Sequence, residues 1–599
     1  MKISRNWLQT YFDTPLPDAR ELSDALTFHT FEIESIEDDV LDVKVTPNRG
    51  HDCLSHRGIA KELSAILELP MKNDSLRVPL PALPEGVAME IESPARAPVG
   101  AVAYVRGVKI GASPMWLKER LESIGQRSIN NVVDATNYVM FDIGMPTHAF
   151  SADTFKDGGI VRYGIRCSKK SEKLALLGGT AIELSGDEAV IVNASDEAVD
   201  IGGVKGGMRA ELQENTTEVL LSASKFEPVQ TRRAAQRFNQ RTEAAKRFEN
   251  EMSDELAVYG VRAVADLVQK IAGGEIVGYG IVKSRSSADR TVSVSLAKIN
   301  TVLGTRLEEK NVADVLKRLD LQFKCNEMSS HCIFDVEVPF ERMDITIPED
   351  LIEEIGRIIG YDSSPAVELP VFRGTVEINE NFYASEKVRE DLISGGYSEV
   401  FTSVFADKGE RAVLNKVGGE RPFLRSTLID GLKDALEKNT HNKDLLGLEG
   451  VKLFEIGTVW SDGKEIIMVG TVSEKERATE KPLEEYLSND VSCMQYDDLP
   501  FSAAMRYQSF SKYPYIVRDI AMWVPTGTGA DEVLEIIKQN AGELLVRSSL
   551  FDRFEKGGKT SLAFRLVFQS FGKTLTDEDV NQVMSKVYAV LMAQGFEIR

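Results

Sequence analysis

The sequence predicts a multidomain protein of the α/β and α+β classes, on three observations. The chain has 599 residues, well beyond the ~250–300 at which a single core stops growing. Its apolar residues switch repeatedly between helical spacing and period-two alternation. Breaks rich in proline and glycine separate the patterned stretches, most clearly from Pro70 through RVPLPALPEG, which reads as a linker.

Residues 1–80 form a mixed N-terminal α+β domain. ISRNWLQTYF and LSDALTF have helical spacing, DVLDVKVTP (39–47) alternates as a strand, and RGIAKELSAILEL (57–69) is a helix. Residues 86–275 are a long α/β region, with a helix in PMWLKERLESIG and short strands punctuated by glycine. Residues 290–365 make a small helix–strand domain, running from NVADVLKRLDL into the acidic stretch MDITIPEDLIEE (343–354). PVFRG (370–374) opens a further α/β unit reaching to about 500. The last part, 508–599, has the plainest pattern: strand YIVRDIAMWVP, helix ADEVLEIIKQNA, strands LLVRSSLFDRF and TSLAFRLVFQS around EKGGK, a second helix, and strand FEIR. The order β-α-β-β-α-β is a ferredoxin-like sandwich. Thr576 N-caps its second helix, Asp577, Glu578 and Asp579 fill the first turn, and Val580, Val583, Met584, Val587 and Leu591 form the apolar stripe.

Composition sets limits. A hydrophobic fraction of 43% and a charged fraction of 27% are those of a globular protein. A net charge of −22 argues against indiscriminate coating of nucleic acid. One basic stretch stands out, QTRRAAQRFNQRTEAAKRFE (230–249), with Arg232, Arg233, Arg237, Arg241, Lys246 and Arg247; it is either a solvated helix face or a local basic patch. Five scattered cysteines, never spaced as CxxC, argue against a disulfide framework and structural zinc. With no signal-peptide pattern and no apolar run of ~18–20 residues, a cytoplasmic protein without membrane spans is expected.

The acidic stretch holds Asp344, Glu349, Asp350, Glu353 and Glu354 within twelve residues. Thr346 is expected to N-cap a helix, with Glu349 three residues on completing a capping box. Asp350, Glu353 and Glu354 then stand at i, i+3 and i+4 on one face, where like charges repel by a few tenths of a kcal/mol. The stretch is either an exposed acidic helix start or an oxygen-only site for a hard cation such as Mg²⁺, and spacing alone does not decide.

Taken together, TPNRGHDCLSHRGIAKEL (46–63), RSINNVVDATNYVMFDIGMPTHAF (127–150), RMDITIPEDLIEEIGRIIGY (342–361) and the ferredoxin-like tail resemble the bacterial-type β subunits of phenylalanyl-tRNA synthetase. The resemblance runs in that family's order over most of the chain. It implies Mg²⁺ ligands at Asp344, Asp350, Glu353 and Glu354, leaving Glu349 to the cap. It makes 86–275 an editing-type domain that hydrolyses tyrosine misattached to tRNA, with pocket positions at Arg127, His148, Gly206, Thr242 and Ala244. Where the family has a tyrosine-recognising glutamate, EVLLSASKF places Ser222, so editing is expected to be impaired or absent. The family's OB-fold insertion is missing between FEIES and VTPNR. The 370–500 unit resembles a shortened class II synthetase-like module without a GxGxxR-type ATP segment, hence inactive.

The resemblance further implies that a separate α subunit binds ATP and joins phenylalanine to tRNA(Phe), releasing AMP and pyrophosphate, in an (αβ)₂ heterotetramer. The tail would bind the anticodon through Arg553, Lys556, Lys559 and Arg565 with Phe551 and Phe554, whereas Phe564 and Phe568 alternate into the core. A free-standing tRNA deacylase and a non-catalytic RNA-binding scaffold are the rival readings.

Overall fold

The computed structural model describes residues 1–599 apart from 73, 285–289, 329–330, 372, 375–376, 416–418 and 487–508. Two units divide the chain, Met1–Leu369 and Pro370–Arg599. The expected boundary between the 370–500 module and the 508–599 domain falls outside the described residues.

In the first unit the N-terminal residues build a three-stranded sheet with Val40–Val43 between Lys2–Ser4 and Ile33–Glu37. Helices Ala19–His29 and His56–Leu67 join it around one apolar cluster. Ile33–Glu37 turns directly into Val40–Val43 through Asp38 at φ 52°, the left-handed conformation that a short hairpin turn requires. No domain is therefore inserted there.

The central region holds a four-stranded antiparallel sheet in the order Glu275–Lys283, Val99–Arg106, Glu218–Ser222, His148–Ser151. Helices Asp254–Ala272 and Asn131–Ile143 belong to its core. Asn130 caps the second of these by accepting from the Val132 and Val133 amides, and Gly144 ends it at φ 89°. A second sheet runs Lys205–Gly206, Ala198–Ile201, Ala189–Val192, Ile160–Cys167, Ala88–Ile91. The N-terminal segment is pinned to this region. Trp7 and Tyr11 donate to the Asp142 carboxylate at 2.9 and 2.6 Å, and Arg247 donates to the Leu54 carbonyl at 3.0 Å.

Helices Leu296–Leu303, Glu309–Arg318 and Pro348–Ile359 pack with a sheet whose central strand is His331–Val338. Here the structure corrects two expectations. Cys325 and Cys332 are disulfide-bonded between neighbouring strands, diagonally across a ladder in which Cys325 faces Phe334 and Cys332 faces Glu327. The acidic helix begins at Pro348 with Ile347 as N-cap, not at Thr346. Asp350, not Glu349, is the capping carboxylate, accepting from the Thr346 and Ile347 amides at 2.7 and 2.9 Å. Glu349 is one residue too early to fold back, and pairs with Lys298 at 2.6 Å instead.

In the second unit, Lys452–Ser461 and Lys464–Ser473 form the central hairpin of a four-stranded sheet with helix Ile429–Thr440 packed against it. The tail is a β-α-β-β-α-β sandwich with sheet order Leu545–Lys556, Lys559–Phe568, Ile516–Pro525, Glu597–Ile598. Thr576 and Asp579 form its reciprocal cap, and Phe564 and Phe568 are fully buried.

Arginines and carboxylates alternate through the interior of the first unit as Asp52–Arg49–Glu62–Arg357–Glu354–Arg342–Asp344, each contact 2.6–2.8 Å at its closest. Burial works to raise the Glu62 carboxyl, but Arg357 and Arg49 override it and hold it at about 2. The folded carboxyl thus stays ionised where an unfolded one, near ~4.3, takes up a proton. Its contribution to stability is complete above about pH 5 and lost as pH falls toward 2. Arg357→Met should cost about 3–5 kcal/mol by leaving buried charge unpaired, read as a lower urea midpoint for the first transition. Adding Glu62→Gln should return part of that loss; no recovery would mean that packing, not charge, accounts for the cost.

Candidate functional site

A small pocket, ≈ 90 Å³, opens in the central region and is assembled from segments far apart in sequence. His148 stands at the start of strand His148–Ser151, opposite Ser222 in the neighbouring strand. Gly206 lies on the facing two-residue strand; a methyl there would meet His148 Nε2 at 2.8 Å, so only glycine leaves the imidazole in place. Gly203, at φ 76°, makes the turn that brings Val204 and Lys205 into the rim. Ala244 and Phe248, from helix Glu243–Glu249, form part of the wall together with Phe226.

Four of the six expected pocket residues, His148, Gly206, Ser222 and Ala244, line this space. Thr242 supports it from behind. Its hydroxyl caps the Glu243–Glu249 helix at the Ala245 amide (3.0 Å) and donates to the carbonyl of the lining residue Val204 (2.9 Å). Arg127 is not among the lining residues; it is exposed in the loop before helix Asn131–Ile143. Ser222 is not free to receive a ligand, since its hydroxyl is engaged by the Tyr163 hydroxyl at 2.8 Å and lies 3.3 Å from that of Ser224.

The sequence reading passed over Asp200, which also lines the pocket and is 5% exposed. Burial pushes its carboxyl up to about 8. The available signal was a lone acid in an otherwise apolar strand, AVDI (198–201), buried at every position. Burial lowers the His148 imidazole to about 4, so the ring is neutral at pH 7 and able to hold or orient a water.

The basic stretch 230–249 divides into helices Pro228–Arg237 and Glu243–Glu249. Arg247 is buried, with its guanidinium over the Phe141 ring and paired with Glu243, and so is structural. Arg232, Arg233, Arg241 and Lys246 are exposed on the helices and loop that carry the pocket wall.

The acidic stretch lies at a separate place. Asp344, Asp350 and Glu353 line one cleft of ≈ 300 Å³ with His51 and Asn48, and Glu354 faces an adjoining cleft with Asp344 and Glu353. Burial opposes ionisation of Asp344, but His51 and Arg342 overcome it and hold the carboxyl far below its ordinary range. Glu354 is likewise held low against its burial by Arg342 and Arg357. The buried chain sets three arginines against four carboxylates, so one negative charge is left over beside the exposed Glu353. Those residues fit a hydrated divalent cation, which keeps several waters and takes few direct carboxylates. They do not form a closed cage: among the described residues, their oxygens are not part of any convergent set of three metal-ligating groups.

Of the tail residues, Arg565 is clamped by Asp519 (2.8 and 2.9 Å) and Asp444 (3.0 Å), and Lys559 by Glu597 (2.5 Å). Arg553 has only a loose contact with Glu555 at 3.7 Å, and Phe551 beside it is 53% exposed. Lys556 ends the same exposed strand.

Histidine-selective NMR should place the His148 midpoint near pH 4. Because the unfolded ring takes its proton near ~6.5, this residue should lower stability as pH drops from about 6.5 to 4. A midpoint near 6.5 would mean that the ring is not desolvated.

Comparison with known proteins gives four family matches in sequence order: the B3/4 domain at 96–273, the tRNA synthetase B5 domain at 292–361, the phenylalanyl tRNA synthetase beta chain CLM domain at 366–485, and the ferredoxin-fold anticodon binding domain at 511–599. Relatives described as phenylalanine–tRNA ligase beta subunits align through nearly the whole chain. That of Shouchella clausii is 29% identical over 94% of this chain and 80% of its own length. That of Carboxydothermus hydrogenoformans is 28% identical over 95% and 81%. That of Bacillus thuringiensis subsp. konkukian is 29% identical over 100% and 84%. The last alignment spans 699 positions against a chain of 599 residues, so the relative carries segments that this chain lacks. With four family models matched in order from residue 96 onward and relatives aligned over 94–100% of this chain, the chain is similar through nearly its whole length to phenylalanine–tRNA ligase beta subunits.

Proposed function

We propose that this chain serves as the β subunit of a phenylalanine–tRNA ligase, in which a separate α subunit binds ATP and attaches phenylalanine to tRNA(Phe). The observation that carries this is that the likeness to β subunits runs through every domain, not through one shared module. Three features of the chain support the division of labour. In the 370–500 module, the cleft of ≈ 780 Å³ contains Arg425, but its guanidinium is consumed by Glu455 (2.7 Å), the Thr402 hydroxyl and the Thr458 carbonyl. It is not available for a nucleotide phosphate, which fits an architectural role. Phe401 and Leu414, 81% and 101% exposed in the same unit, are apolar groups that a partner surface would cover. Asp344, Asp350 and Glu353, with Glu354 behind them, would hold Mg²⁺, which would offset the negative charge gathered there. Together these features favour an αβ assembly, doubled to (αβ)₂.

The pocket around His148 would serve hydrolysis of misacylated tRNA. Water attacks the aminoacyl carbonyl carbon, and the bond to the terminal ribose oxygen breaks. The amino acid leaves as a carboxylate; of the water's two protons, one goes to the ribose oxygen and the other to solvent. His148, neutral and facing Gly206, is placed to orient that water. Arg232, Arg233, Arg241 and Lys246 would draw the acceptor end toward it. In the tail, Arg553 and Lys556 are better placed than Lys559 and Arg565 to meet phosphates, with Phe551 for stacking.

A free-standing deacylase is the alternative that the pocket alone would allow. Co-expression with the α subunit from the same genome should return both chains in equal amount. Pyrophosphate exchange dependent on phenylalanine should require the α chain. If this chain stays alone, or supports exchange by itself, the reading is wrong.

A further inference from the structure

We infer that Asp200 is the specificity-determining residue of the pocket, accepting a hydrogen bond from the hydroxyl of a phenolic side chain; this rests on the editing reading above. Buried carboxyls are normally hydrogen-bonded, because leaving one without a partner is costly. Asp200 is 5% exposed, and burial is the one influence that shifts its carboxyl, with no hydrogen-bond partner among the described residues contributing. It lines the pocket, whose apolar walls include Ile191, Phe226 and Phe248 and whose rim also carries the polar Thr147, Lys205 and Ser224. An apolar box with one unsatisfied acid at its polar side suits a flat apolar group that ends in a hydroxyl. It suits an unsubstituted phenyl ring less, since that ring would exclude water and still leave the acid unpaired.

The surroundings of Asp200 explain why Ser222 does not fill this role. The Tyr163 hydroxyl is hydrogen-bonded to Ser222. Ser222, Ser224 and Tyr163 therefore satisfy one another, and the acid stands apart. Strand pairing sets Asp200 directly opposite Gly206, the residue that His148 faces. The recognition group and the water-orienting group thus line one small pocket, both beside Gly206. The missing glutamate is compensated by a carboxyl from a different strand.

The test uses the assembled αβ enzyme and purified tRNA(Phe) charged with tyrosine or with phenylalanine. Wild type should hydrolyse the tyrosyl ester preferentially. D200A should lose about a hundredfold or more of that preference, as expected when a buried site loses its partner for a substrate hydroxyl. D200N keeps the shape and one acceptor oxygen, and should retain part of it. Phenylalanine charging by the same preparations reports that each variant is assembled. If wild type discriminates and both variants do so equally well, Asp200 is not the recognition group, while the editing reading stands. If wild type hydrolyses neither ester, the editing reading itself falls and this inference with it.

Discussion

A buried chain of alternating charge holds the first 369 residues together. Arg49 and Glu62 come from the N-terminal domain, and Arg342, Glu354 and Arg357 from the small helical one. A second run, Asp74–Arg57–Glu341–Arg77–Asp320, passes through the residue beside Arg342 and binds the linker to both. Such networks contribute little net stability over an apolar equivalent, because each charge must be stripped of water. What they impose is geometry. A carboxylate gripped by two guanidinium groups has few places to be, and a segment that shifted would strand a charge in the interior. Two domains separated by nearly three hundred residues are locked into one arrangement in this way.

The clefts and the pocket inherit that rigidity by different routes. Asp344 ends the charged chain, and its position is set by Arg342 on one side and His51 on the other, at 3.0 Å. The surface that Asp344, Asp350 and Glu353 present is therefore preorganised, with its negative charge already assembled before any cation arrives. The pocket is braced through the N-terminal helix. Trp7 stacks on His56 at 4.0 Å and bonds Asp142 at the end of helix Asn131–Ile143. That helix leads through Gly144 into the strand bearing His148. Burial depresses His56 to about 3, which keeps it neutral and bonded to the Phe141 carbonyl over the whole physiological range.

Much of the architecture was legible in sequence because it rests on local periodicity. The tail alternates strictly where one face of its sheet is buried, and Thr576 and Asp579 form their cap within four residues. The acidic stretch was legible as a concentration of charge but not as a structure. What neutralises it is Arg342 and Arg357 nearby together with Arg49 from three hundred residues earlier, and no local pattern reveals such a partner. The register of its helix was missed by one residue. Both Thr346 and Asp350 are good capping types, and the Pro348 start puts the reaching carboxylate at Asp350. The pocket residues were found only where a resemblance pointed to them. Arg127 does not join them. Asp200 was overlooked because a single acid in a short apolar strand carries no motif.

That acid carries the argument about what the pocket does. Stability alone gives no reason for it. In strand Ala198–Ile201 its neighbours are fully buried apolar residues, and an alanine or serine at 200 would fill the space without leaving a carboxyl unsolvated. Nor does an ion pair hold it, since burial alone shifts its carboxyl. A buried group that stability does not need, aimed into a cavity and pushed far from its ordinary ionisation range, is the kind of feature found where a protein waits for a ligand. In this pocket the walls choose an aromatic shape, which tyrosine and phenylalanine share. The difference between them is one hydroxyl. Only a polar group inside the box can read it; Ser222 is bonded to Tyr163, and Asp200 is the acid that the pocket offers.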